Sequence, residues 1–146
     1  MTQECMFCQI VEGTLPCHKV YEDEDVLAIL DHRPVRPGHT LIIPKKHYRY
    51  ITDCPEGLYL SLMKVAQKVS QKILKVAEPE PLNTALLVHG YIPHVHIHVF
   101  PQYDWDDITS KRMAYVKDGE VAFDASCLPK VEDEKQKVMA QKLYLR

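Results

Sequence analysis

The chain has 146 residues, 46% hydrophobic and 26% charged, with a formal net charge of −2. This is the balance of one globular domain with a sizeable core, and it gives no general attraction to nucleic acid or to a membrane surface. No apolar run approaches the length that crosses a bilayer, Met1-Thr2-Gln3-Glu4 does not open a secretory signal, and an odd number of cysteines (5, 8, 17, 54 and 127) favours a reducing, cytoplasmic setting over a disulfide framework.

Cys5-Met6-Phe7-Cys8 is a C-x-x-C pair for which zinc, redox and accidental readings are all open. No βαβ pattern follows it, which counts against redox chemistry. Phe7 to Glu12 reads as a short helix ended by Gly13. His18 to Tyr21 and Val26 to Leu30 read as strands joined by the acidic turn Glu22-Asp23-Glu24-Asp25. Prolines 34 and 37 with Gly38 break regular structure before a third strand, Thr40 to Ile43, stopped by Pro44. Thr52 or Asp53 caps one long helix, with Pro55 in its first turn. Its stripe of Leu58, Leu62, Val65, Ala66, Val69, Ile73 and Val76 recurs at helical spacing and is read as core. Asn83 to Val88 is the next strand. Near the end, Met113 to Lys117 and Glu120 to Phe123 flank Asp118-Gly119 as a hairpin, and Val131 to Leu143 reads as a C-terminal helix with acidic residues at its positive end.

The stretch Pro93 to Phe100 organises the rest. His94, His96 and His98 alternate with Val95, Ile97 and Val99, the period of a half-buried strand. The valines and isoleucine then face the core and the three imidazoles face the other way. Same-face neighbours on a strand stand about 6.6 Å apart, so one ion could be shared by two of these histidines but hardly by three. Three buried imidazoles would each need a separate partner, so a purely structural role is the poorer account of the row.

His94-Val95-His96-Ile97-His98-Val99-Phe100 resembles the motif of the histidine-triad (HIT) family, and Asp31 to His47 resembles the family's upstream block, Pro-Gly-His followed by an apolar strand and Pro-Lys-Lys-His. The likeness covers about Cys5 to Pro101, with residues 102–146 as an extension of a single 1–146 domain. It implies an α+β fold: about five antiparallel strands with one long helix packed on them, plus a C-terminal hairpin and helix. It also implies a homodimer. The implied chemistry is attack on the α-phosphate of a purine nucleotide or conjugate through a nucleotidyl-histidine. His96 is then the nucleophile, with His98, His39 and His94 as the other catalytic histidines. An imidazole suits that task because it is mostly neutral near pH 7. It attacks through one nitrogen while the other keeps its proton, hydrogen-bonded to a backbone carbonyl.

By the same resemblance Asp31 accepts the ribose hydroxyls, and His32, Phe7, Ile10 and Ile29 line the base pocket, although the three apolar residues are equally readable as core. The zinc-bearing, Hint-like branch of the family implies a structural ion held by Cys5, Cys8, His47 and His94, a closed four-ligand set. One departure stands out. The Gly-rich loop before the triad strand is shortened in this chain, so that His89 and Tyr91 stand where phosphate-binding donors are usual. The expected function is a nucleotide hydrolase or transferase acting on nucleoside phosphoramidates or adenylyl conjugates. Dinucleoside polyphosphate hydrolysis, and a nucleotide-binding or zinc-stabilised interaction module with little turnover, are the alternatives.

Overall fold

The computed structural model describes residues 5–88, 92–103 and 114–146. Its centre is a five-stranded antiparallel sheet in the order β1-β2-β3-β5-β4, built from β1 (Lys19–Glu22), β2 (Val26–Leu30), β3 (Thr40–Pro44), β4 (Asn83–Val88) and β5 (Ile97–Gln102). The long helix α2 (Glu56–Val76) packs on one face, and the short helix α1 (Met6–Val11) lies against the other. The α+β expectation therefore holds, down to the C-terminal hairpin and helix.

The two-sided character of the sheet follows from β2 and β3, which are buried at every position. Val26, Ala28, Leu30 and Ile42 point toward α2, whereas Leu27, Ile29, Leu41 and Ile43 point toward α1. Leu62, Val65, Ala66, Val69 and Ile73 form the buried stripe of α2 against the first set. Complete burial of each large aliphatic side chain stabilises the fold by about 1.5–3 kcal/mol.

Some boundaries move for local reasons. Thr52 and Asp53 lie in a separate 3-10 turn, Ile51–Asp53, and do not cap α2. Pro55 holds Cys54 extended, at φ −69° and ψ 132°, so the α-helix can begin only at Glu56. The strand of the histidine row starts at Ile97 and not near Pro93. Ile42 pairs with Ile97; continued, this register would set Ile43 against His96 and then Pro44, which has no N–H to give to a ladder, against Val95. The backbone at Val95 instead donates to the carbonyl of Tyr48, at 2.8 Å. The alternation survives this change: Val95, Ile97 and Val99 all belong to the core under α2.

The C-terminal segment is built into the same core. In the hairpin of β6 (Ala114–Lys117) and β7 (Glu120–Phe123), Asp118 and Gly119 have φ of 53° and 82°, the two successive left-handed residues that a tight two-residue hairpin turn requires. Helix α3 (Asp133–Leu143) then buries Ala140 and Leu143 in the cluster beneath α2, and Leu145 N–H donates to Val20 O at 2.9 Å.

Candidate active site

On the sheet face opposite α2 lies a cavity of about 1100 Å³. Phe7 and Ile10 of α1, Ile29 of β2 and Leu41 of β3 give it an apolar lining. Asp31 and His32 follow β2, His39 precedes β3, and His96 and His98 stand at the start of β5; all five border the cavity. A largely apolar hollow with a few convergent polar groups is the usual form of a small-molecule site.

The histidines are held in defined tautomers. His96 is 3% exposed, and its Nδ1 lies 2.7 Å from the carbonyl oxygen of His94. A carbonyl can only accept, so Nδ1 carries the proton and Nε2 keeps its lone pair. Val35 N–H donates to His39 Nδ1 at 3.1 Å. His39 Nε2 therefore carries the proton and gives it to His98 Nδ1, 2.9 Å away, which leaves the His98 proton on Nε2. Ring packing fixes the row from both ends, with Phe7 5.0 Å from His96 and Phe100 5.0 Å from His39 between centroids. Adjacent histidines of the row thus differ in character: Nε2 carries a lone pair in His96 and a proton in His98, where the atom itself is buried.

His94, expected in both the catalytic and the metal set, does not border the cavity. It is fully buried, and its Nε2 donates to the Pro44 carbonyl at 2.9 Å, so its Nδ1 is the basic nitrogen. That nitrogen lies 3.3 Å from Cys5 Sγ and 3.7 Å from Cys8 Sγ, while His47 Nδ1 is 3.3 Å from Cys8 Sγ. The four donor atoms fall within 4.8 Å of one another. A tetrahedral zinc with bonds of 2.0–2.3 Å has ligand-to-ligand edges of about 3.3–3.8 Å, so the donor set fits such an ion. Its chemistry fits as well. Burial and the neighbouring Cys5 thiol push Cys8 up to about 11, so two thiolates at this position call for a cation beside them. Burial also lowers His94, against the raising effect of its Pro44 hydrogen bond, and favours the neutral imidazole that a metal requires. The spacing of Cys5 and Cys8 at the start of α1 puts both sulfurs on one side of the helix.

Asp31 is partly exposed and its Oδ1 accepts the backbone N–H of Arg33 at 2.8 Å. His32 is mostly exposed at the rim. His89 and Tyr91, expected as phosphate-side donors, lie outside the described residues. A second wall, which no motif in the sequence marks, is made by Tyr115, Asp124, Leu128, Val131, Asp133 and Gln136. Arg33 Nη1 ties it down through the carbonyls of Ser126 and Leu128, and His18 Nε2 meets Asp133 Oδ1 at 2.9 Å. The amphipathic pattern of 131–143 signals a helix, but nothing in it tells which residues meet the site.

A histidine row beside an apolar cavity, on a five-stranded antiparallel sheet backed by one helix, is the histidine-triad architecture. The chain belongs to the HIT domain family, whose profile matches residues 12–105. It is 33% identical over 138 residues to "Adenylylsulfatase HINT3" of Arabidopsis thaliana, covering 88% of this chain and 69% of that protein. It is also 33% identical over 98 residues to "Adenosine 5'-monophosphoramidase hnt1" of Schizosaccharomyces pombe, covering 67% of this chain and 74% of the other. Among solved structures it resembles a Zn-bound histidine triad family protein from Mycobacterium smegmatis, with a TM-score of 0.70, 27% identity, and coverage of 96% and 93% of the two chains.

Proposed function

We propose that this protein is a nucleotide hydrolase or transferase that attacks an α-phosphate through His96, acting on nucleoside phosphoramidates or adenylyl conjugates. The observation that carries the reading is the hydrogen bond from His96 Nδ1 to the His94 carbonyl. It holds the imidazole in the tautomer whose Nε2 is nucleophilic and aims that ring at the cavity. When Nε2 bonds to phosphorus, the bond to the leaving group breaks and the ring becomes cationic. The Nδ1–H then donates a stronger, charge-assisted bond to the same carbonyl, so the stabilisation grows as the adduct forms. His98 Nε2–H supplies a donor to the phosphoryl oxygens or the departing atom. Water then attacks the same phosphorus, the P–N bond breaks, and its electron pair returns to His96. The two named relatives, an adenylylsulfatase and an adenosine monophosphoramidase, support adenylyl compounds as the substrate class. The test is single-turnover reaction with adenosine phosphoramidate: a nucleotidyl adduct on His96 is expected, and turnover without one on this residue overturns the assignment.

Zinc at Cys5, Cys8, His47 and His94 is the second part of the proposal, supported by the donor geometry and by the Zn-bound relative. Its place is structural, since all four positions are protein ligands. It would brace the His94 segment whose carbonyl orients His96. A reducing, cytoplasmic setting suits such thiolates. A homodimer completes the reading. β4 is an outer strand of the sheet among the described residues, and Leu86 and Val88 on it, with Leu82 just before it, are exposed; an apolar edge of this kind is a surface that proteins ordinarily cover.

A further inference from the structure

Helix α3 places one buried polar side chain at the cavity. Gln136 is 6% exposed, borders the cavity, and donates from Nε2 to the main-chain carbonyl of Asp31 at 2.8 Å. Because a carbonyl only accepts, this bond fixes which end of the amide is nitrogen. The acceptor end, Oε1, is left beside Asp31, and no described residue donates to it. The residue is buried, yet Oε1 is not among the fully enclosed unpaired atoms, so its lone pairs stay open to water or a ligand in the cavity. The position is held firmly. Val131 N–H donates to the His32 carbonyl at 3.3 Å, His18 meets Asp133, and Leu143 anchors the far end of the helix in the core. Gln136 also lies beyond residues 12–105, so the family match assigns it no role.

We propose that Gln136 is a nucleoside-recognition residue that accepts a hydrogen bond from one ribose hydroxyl while the Asp31 carboxylate accepts the other. This rests on the nucleotide reading above. The division of labour follows from the acceptors at hand. Asp31 Oδ1 is already engaged by the Arg33 N–H, which makes Oδ2 the less committed carboxylate oxygen; a vicinal diol can give one donor to Oδ2 and the other to the Gln136 amide oxygen. The C-terminal segment thereby makes the site selective for an intact ribose.

The experiment is calorimetric titration of the full chain with AMP and with 2′,3′-dideoxy-AMP, for the parent and for Gln136→Met. The parent is expected to prefer AMP. In Gln136→Met, AMP binding should weaken about 3- to 10-fold, the size of one lost neutral hydrogen bond, with dideoxy-AMP binding unchanged. Equal weakening of both ligands would show a purely structural role, and no change in either would show no role; each overturns the proposal. If the parent binds neither nucleotide, the nucleotide reading itself fails and takes this inference with it. Should Gln136→Met not fold, Gln136→Asn, which withdraws the amide by one methylene, is put through the same comparison with the same expected split.

Discussion

The carbonyl of His94 and the imidazole of His96 are joined at 2.7 Å, so one residue joins the Cys/His cluster proposed to hold zinc to the histidine row of the cavity. The side chain of His94 turns its Nδ1 to the two cysteines, and its main chain orients the proposed nucleophile. Stability of the cluster and reactivity of His96 are therefore coupled through a single peptide. The purified protein should carry about one zinc per chain, and stripping it should lower both thermal stability and kcat. Metal analysis of untagged protein made without chelators checks this; a content near zero after zinc supplementation contradicts it.

His39 acts on His98 through one hydrogen bond. Its Nε2–H donates to His98 Nδ1 and so places the His98 proton on Nε2. Replacing His98 by alanine should lower kcat by about 10²–10³, the usual cost of one preorganised donor. His39→Ala should cost less, with AMP affinity changed little, because the donor remains but loses its fixed tautomer. Steady-state kinetics and AMP titration of the two variants provide the check. A His39→Ala enzyme with parental kcat would remove the relay.

The C-terminal helix should count as core. Leu143 is 1% exposed and packs beneath α2, and its methyl lies 3.6 Å from where a Cβ on Gly38 would stand. Leu143→Ala should therefore cost about 2–5 kcal/mol. Urea unfolding would measure it; a loss below about 0.5 kcal/mol, a typical surface value, would place the helix outside the cooperative unit.

The exposed β4 edge makes a fourth prediction. The protein should run as a dimer in light scattering at micromolar concentration, and Leu86→Lys should shift it toward monomer, since a charge on that strand opposes edge pairing. A parental monomer mass would contradict the dimer.

Much of this was legible in the sequence because short periods carry it. The alternation of His94 to Val99 marks the two faces of the row, and the stripe from Leu62 to Ile73 marks the helix that buries one of them. The C-x-x-C pair gains meaning only beside His47 and His94, which chain order alone leaves 39 and 86 residues from Cys8. What the sequence hid was tertiary. The strand limit at Ile97 depends on Pro44 in a different strand. Which nitrogen of His94 turns to the cysteines depends on the Pro44 carbonyl engaging the other. Gln136 reads as one more polar residue in a charged helix until α3 is folded over Asp31.

The account stands or falls on the nucleotidyl-His96 intermediate. Rapid quench of the parent with adenosine phosphoramidate, followed by mass analysis of its peptides under conditions that preserve P–N bonds, measures it directly. The expected result is one adenylyl group per site on His96, lost in His96→Ala together with turnover, while AMP still binds. An adduct on His98, or turnover in His96→Ala within about tenfold of the parent, would contradict the central claim, since a residue that carries the covalent step cannot be removed at so small a cost.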